Sequence, residues 1–157
     1  MKKNDISIHR FKIEDLEEVA RLIHTTIQTV YPGYYPPAVI DYFLDYHNKQ
    51  AIKQRAENGF TIICRKNKTI TATASLTGDT IYGMYVLPQY SGKGIGKRLI
   101  GIIEKKALNQ KINLLKLHAT PGSRSFYLKM GYQIVNEDSM LVGADRLYYT
   151  NMEKKLM

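Results

Sequence analysis

Residues 91–98 read Ser-Gly-Lys-Gly-Ile-Gly-Lys-Arg, the stretch of this chain with the clearest capacity for chemistry. Glycines at alternate positions, Gly92, Gly94 and Gly96, let a backbone turn sharply and approach a ligand with no Cβ in the way. They follow a β-like run, residues 81–87, which stops at Pro88, a residue with no N–H for a sheet ladder. A helical pattern starts directly behind them. A helix start offers unpaired N–H groups and the positive end of a dipole. The combination is a cradle for an anion such as a pyrophosphate.

Two common phosphate loops fail by counting. A Walker loop needs Gly-x-x-x-x-Gly-Lys-Ser/Thr, but Gly96-Lys97 is followed by Arg98 and position 91 is serine. A dinucleotide fingerprint needs Gly-x-Gly-x-x-Gly in the first βα turn and an acidic residue about 20 positions on. Here the spacing is Gly92-x-Gly94-x-Gly96, and the next strand-like run ends in Leu117-His118.

Other residues of suitable type are scattered. Phe126-Tyr127, taken alone, is an aromatic pair that packs a short helix onto a sheet. His118 ends a strand-like run, and imidazole is the usual proton carrier near neutrality. Tyr31, Tyr34 and Tyr35 crowd a turn-rich linker, where they either pack the loop onto the domain or form a substrate-side wall. Cys64 lies in an apolar run and reads as a core residue. His24, beside the apolar stripe of a helix, reads as a surface or packing residue.

The elements that must position these residues follow from pattern. Residues 6–11 form a first strand. Leu16, Val19, Ala20, Ile23, Ile27 and Val30 recur at three- and four-residue steps, predicting a helix to about Thr29. Pro32, Gly33, Pro36 and Pro37 break it, and Pro37 suits the first turn of a second helix carrying Val39, Tyr42, Phe43 and Tyr46. Residues 48–58 are polar and helical in part. Runs at 60–65, 69–76 and 80–87 have links short enough for antiparallel pairing. A helix with Ile95, Leu99, Ile102, Ile103 and Leu108 then leads to a strand at 112–118, which implies a right-handed crossover between parallel neighbours. Thr120 and Pro121 read as N-cap and first residue of a helix at 122–130, ended by Gly131. Strands at 132–135 and 146–152 close the chain around a loop at 136–145.

The predicted fold is a mixed α/β, mostly antiparallel sheet with a parallel step between the fourth and fifth strands, flanked by helices. One domain over residues 1–157 is expected. A hydrophobic share of 44% and a charged share of 24% are ordinary for a globular protein. No apolar run approaches the roughly 18 residues of a membrane span. One cysteine excludes an internal disulfide, so a cytoplasmic location is the expectation. The net charge of +9 favours anionic ligands, but the basic residues are dispersed. A primary nucleic-acid role is therefore not expected, although a basic nucleic-acid binder would reveal itself by steep salt dependence.

With its flanks, the glycine stretch reads Val-x-Pro-x-Tyr-x-Gly-Lys-Gly-Ile-Gly-Lys-Arg-Leu, and it resembles the GCN5-related N-acetyltransferase (GNAT) family. The family signature, Gln/Arg-x-x-Gly-x-Gly/Ala, places its glycines on Gly94 and Gly96. A second family block, Phe-Tyr-x-x-x-Gly-Phe/Tyr, is matched by residues 126–132, Phe-Tyr-Leu-Lys-Met-Gly-Tyr. The order of elements is similar across nearly the whole chain.

This resemblance implies acetyl-CoA as co-substrate, no metal, and direct transfer of acetyl to a primary amine of a small molecule or peptide. It implies that backbone groups of Met84, Tyr85 and Val86 pair with the pantetheine arm. Loop amides of Gly92, Lys93, Gly94, Ile95, Gly96 and Lys97 would hold the pyrophosphate. Tyr127 would be the general acid that protonates the leaving thiolate. Ser91 stands where the family usually has Gln or Arg, and Thr120 where many members have a cofactor-contacting asparagine. The family's frequent strand glutamate is missing, since no Glu occurs between Glu57 and Glu104. The candidates for a base are His118 and Asp79, the latter in a turn where it reads as a solvated structural residue, with a water chain or an already neutral amine as the alternatives. Tyr31, Tyr34 and Tyr35 fall on the substrate side. The alternative reading is a non-catalytic, CoA-responsive regulatory module of the same fold. A monomer and a homodimer are both compatible with the sequence.

Overall fold

The computed structural model describes residues 6–157. Its elements run β1 (Ile6–Arg10), α1 (Leu16–Val30), α2 (Pro37–Tyr46), α3 (Lys49–Asn58), β2 (Phe60–Lys66), β3 (Thr69–Thr77) and β4 (Thr80–Val86). There follow α4 (Ile95–Asn109), β5 (Leu114–Ala119), α5 (Arg124–Lys129), β6 (Gln133–Val142) and β7 (Asp145–Lys155). One seven-stranded sheet has the order β1-β2-β3-β4-β5-β7-β6. Every neighbouring pair is antiparallel except β4 and β5.

Helices cover both faces, which is why β2 reads as a continuous apolar run rather than an alternating one. Ile62 and Cys64 point to the face packed by Leu99, Ile103 and Ala107 of α4. Ile63, between them, points to the face packed by Val19, Ile23 and Ile27 of α1, Val39 of α2 and Ile52 of α3. Cys64 is fully buried, as its apolar setting predicted. α3 has a clear local start: the Asn48 side chain accepts from the Ala51 N–H at 2.8 Å. A buried carboxylate fastens the start of α1 to the sheet. Asp15 accepts from the Lys12 N–H and from Arg65, each at 2.8 Å.

Two boundaries differ from expectation. Residues 136–145 are not a loop: β6 continues to Val142 and pairs with β7 in register down to Val142 opposite Asp145. Thr120 does not cap a helix with its side chain. The chain makes a turn at residues 121–123, α5 begins at Arg124, and the Thr120 hydroxyl meets the Ser123 hydroxyl at 3.1 Å. Among the described residues no helix is long and apolar enough to cross a membrane.

What positions the site is the seam between β4 and β5. They share one residue pair, Thr80 with Lys116, supported by the Lys116 N–H donating to the Asp79 carbonyl at 2.9 Å. Beyond that pair they part, and β4 turns through the 3-10 segment Pro88–Tyr90 into the glycine loop and α4.

Candidate active site

A cavity of about 810 Å³ occupies the parting between β4 and β5. One end is walled by Ser91, Gly92, Gly94, Ile95, Gly96 and Lys97. Gly94 is the residue before α4 and has φ +85°; Gly92 has φ +75°. Both conformations strain any side-chain-bearing residue. A Cβ at either position would meet nothing within 4 Å, so these two glycines face open space in front of the helix start. An anionic group fits there, against the free N–H groups of the first turn of α4. Gly96 has a different reason: a Cβ there would lie 3.1 Å from the Phe126 ring and 3.2 Å from the Met84 methyl. The two sequence motifs therefore touch. Lys93 is exposed, with its ammonium 5.8 Å from the Tyr90 ring centre, and is not part of the wall.

Met84, Tyr85 and Val86 line the middle of the cavity. Opposite Thr73 and Ser75 of β3 stand Tyr85 and Tyr82, so β4 carries one extra residue over this interval. The bulge is made by Gly83, at φ +57°. A Cβ on Gly83 would stand 2.6 Å from a guanidinium nitrogen of Arg55, so the missing side chain admits Arg55 from α3.

Arg55 begins a buried polar chain. Its Nη2 lies 3.2 Å from Nδ1 of His47, whose Nε2 lies 3.1 Å from the Tyr85 hydroxyl, which lies 3.1 Å from the Tyr31 hydroxyl. A guanidinium only donates, so His47 Nδ1 accepts and its Nε2 carries the proton. Tyr85 accepts that proton's hydrogen bond and gives its own to Tyr31, the partner left to it. Tyr31 accepts from Tyr85 and stands on the cavity wall beside Thr120. The chain thus donates in one direction, from α3 toward the cavity. His47 is 5% exposed, and burial, followed by the nearby Arg55 and His24, holds its pKa down to about 3. It is neutral whenever the protein is folded at ordinary pH. Burial raises the Tyr31 phenol, and raises that of Tyr85 further.

Tyr127 also lines the cavity and is 6% exposed. Burial first, and Tyr31 second, hold its phenol well above the ordinary tyrosine range, so it is present as the protonated acid. His118 stands on the wall from β5. The Asn151 amide donates to Asn136 at 2.7 Å, which leaves the Asn151 carbonyl oxygen to accept from His118 Nδ1. With Nδ1 as the donor, Nε2 is the nitrogen that bears the lone pair in the neutral ring, and it has no partner among the described residues.

Of the three linker tyrosines, Tyr31 and Tyr34 line the cavity. Tyr34 lies over Gly122, where a Cβ would stand 2.9 Å from its ring. Tyr35 stands behind the wall, its ring against Phe43 and its hydroxyl donating to the Tyr148 carbonyl at 2.8 Å. Thr120 is on the wall. His47, Arg55 and Gly83 were not singled out from the sequence, although a lone glycine inside a strand is a local sign of a bulge. Tyr149 and Met140 also line the cavity; Met140 comes from the segment read as a loop, Tyr149 from the last strand. Among the described residues, no group of three or more His, Cys, Asp or Glu is placed to hold a metal ion.

The chain is similar to known proteins along most of its length. A Bacillus subtilis (strain 168) acetyltransferase-like protein is 29% identical over 85 residues, which are 53% of this chain and 58% of that relative. The chain thus spans less than two thirds of that protein. A GCN5-related N-acetyltransferase structure from Rhodopseudomonas palustris has a TM-score of 0.89 at 23% identity, covering 99% of both chains. A PaiA N-acetyltransferase structure from Thermoplasma acidophilum, in complex with coenzyme A, has a TM-score of 0.81 at 22% identity, covering 96% of this chain and 99% of that one. These two likenesses are likenesses of fold. Residues 30–156 match the acetyltransferase (GNAT) domain family, and with the two glycine and Phe-Tyr motifs in contact across the cavity, the chain belongs to that family.

Proposed function

We propose that this protein transfers an acetyl group from acetyl-CoA to an amine by direct attack within a ternary complex. The observation that carries the reading is a single cavity that joins the glycine loop and Tyr127 at one end to the aromatic wall under α1 and α2 at the other. Donor and acceptor can meet there without a covalent enzyme intermediate. When bound, acetyl-CoA supplies the activated thioester carbonyl. The Gly92 to Lys97 amides and the unpaired edge of β4 at Met84, Tyr85 and Val86 would hold its phosphates and arm. The Thermoplasma neighbour's complex with coenzyme A supports that assignment.

The amine nitrogen forms the new C–N bond as the C–S bond breaks. Its surplus proton leaves to His118 Nε2 or to water, and the sulfur takes a proton from the Tyr127 hydroxyl. A phenol held above its ordinary range gives up a proton only to a strong base, and a thiolate expelled beside it is one. The test is a thiol-release assay with acetyl-CoA on wild type and Tyr127→Phe. General acid catalysis contributes about 10²–10⁴-fold, so turnover should fall by at least a hundredfold while CoA affinity changes less than threefold. Turnover that survives the substitution removes Tyr127 from the mechanism. Saturable CoA binding with no thiol release on any amine favours the regulatory module.

A further inference from the structure

We propose that the acceptor is a monoamine with an aromatic or other apolar body, taken up as the free or readily freed amine, and not a di- or polyamine. This rests on the transferase reading above and concerns the acceptor half of the same cavity.

That half is walled by Tyr42, Phe43 and Tyr46 of α2, Tyr82 of β4, and Met140 and Tyr149 of the β6–β7 hairpin. Rings here pack edge-on and tilted against one another, Tyr31 with Phe43 at 4.9 Å and Tyr42 with Tyr46 at 6.0 Å between centres. Such a wall gains most from an apolar or aromatic ligand body. Its charge points the same way. Among the described residues no Asp or Glu lines the cavity. Asp41 and Asp45 of α2 are exposed to solvent. Asp138, beside Tyr149, is engaged by that hydroxyl and by the Ser139 N–H at 2.7 Å. Behind the wall, the Arg55 guanidinium faces Tyr46, Tyr82 and Tyr85, while Asp138 is held by Tyr149. A second ammonium on the acceptor would meet no carboxylate on the cavity wall itself, and the Arg55 charge behind one side of it.

The hydrogen-bond direction sharpens the argument. The Arg55–His47–Tyr85–Tyr31 chain donates toward the cavity, and both ring nitrogens of its His47 are already engaged, so it offers the cavity no basic nitrogen. The ring nitrogen on the cavity wall that has no partner among the described residues is His118 Nε2, on the other side. An α-amino group on an amide or peptide, with a pKa near 7.8 (~), is unprotonated at pH 7 roughly 300 times more often than a lysine-type amine near 10.4 (~). A site this poor in proton acceptors favours the first kind.

The experiment compares kcat/KM at saturating acetyl-CoA for phenylalaninamide, glycinamide, Nα-acetyl-lysinamide and spermidine. Burying an aromatic side chain predicts that phenylalaninamide exceeds glycinamide by about tenfold to a hundredfold. It should exceed spermidine and the lysine derivative by more than a hundredfold. Equal values for phenylalaninamide and glycinamide, or spermidine or the lysine derivative as best acceptor, overturn the proposal while leaving acetyl transfer intact. If no amine is acetylated, equilibrium binding to the CoA-loaded protein decides. Saturable phenylalaninamide binding that spermidine does not displace upholds the acceptor class and refutes the transferase reading; no phenylalaninamide binding refutes the class. In Tyr42→Glu, a carboxylate on the wall should raise the spermidine-to-phenylalaninamide ratio at least tenfold, and an unchanged ratio counts against the proposal.

Discussion

Replacing His47 by glutamine tests the buried chain through its cost at acidic pH. In the fold the ring is held neutral down to about pH 3, by burial first and then by Arg55 and His24, whereas a free histidine takes up a proton near 6.5. Because the folded-state value is the lower one, the unfolded chain binds more protons between these limits. Stability therefore rises with pH through this window and is lost as pH falls below 6.5. From pH 7 to pH 5 the loss from this one group is about 2 kcal/mol, at 1.36 kcal/mol for each unit below the free value. For a chain of this length that corresponds to roughly 4–8 °C in Tm. The assay is urea denaturation of wild type and His47→Gln at pH 7 and pH 5. Glutamine places an N–H donor near the former Nε2 and cannot be charged, so its own loss over that interval should be smaller by about 2 kcal/mol, the other titrating groups being common to both proteins. Parallel losses would show that the ring is solvated or protonated in the fold, and the donor direction assigned through Tyr85 and Tyr31 would fall with it.

Other consequences are more local. Gly94→Ala meets no atom but must hold φ +85°, so it should cost about 1–2 kcal/mol by thermal denaturation, and an unchanged Tm would show that the loop is free to relax. Asp15→Ala strands the Lys12 N–H and leaves Arg65 with Glu18 at 3.5 Å and the Lys68 carbonyl, and should cost about 1–3 kcal/mol in urea denaturation; a loss below about 0.5 kcal/mol would mean that water replaces the carboxylate without penalty. His118→Gln should lower kcat/KM for the amine and leave the CoA dissociation constant in place, whereas a change confined to CoA binding would assign His118 to the donor side.

The parts of the fold readable in the chain are those written locally. The helix stripe from Val19 to Ile27 and the Gly and Pro punctuation around residues 31–37 and 88–96 each act within a few residues. So do the short links that force β2, β3 and β4 into antiparallel pairs. The long β6 was hidden because its residues 136–138, Asn-Glu-Asp, lie exposed on the outermost strand. There the ladder with β7, not an apolar alternation, holds the strand, and no period is left to read. Thr120 looked like a cap because Thr-Pro is a good helix opening; in the fold its hydroxyl is turned to Ser123 and Tyr31. The donor end of the candidate site was legible in two motifs, which meet where Phe126 fills the space beside Gly96. The chain from Arg55 to Tyr31 was not, since its members come from α3, the end of α2, β4 and the link after α1. Only the sheet and its crossing helices bring them to hydrogen-bond distance. Tyr35 shows the reverse: it shares a short segment with two cavity-lining tyrosines, and one turn of backbone sends its ring inward to Phe43.

The single residue pair that joins β4 to β5 has a further consequence for the sheet as a surface. Edge strands carry rows of unpaired backbone N–H and C=O groups, and proteins shield them because a neighbouring chain can dock there and start aggregation. This sheet has two outer edges, at β1 and β6, and a third inside it, along β4 beyond Thr80. The inner edge lies along the cavity, flanked by the starts of α4 and α5 and by Tyr31. A narrow, flexible molecule bearing amides can lie along it. Such a molecule would complete the ladder, and its arrival should be legible as slowed hydrogen exchange at the β4 amides, while those of β1 and β6 stay as they were.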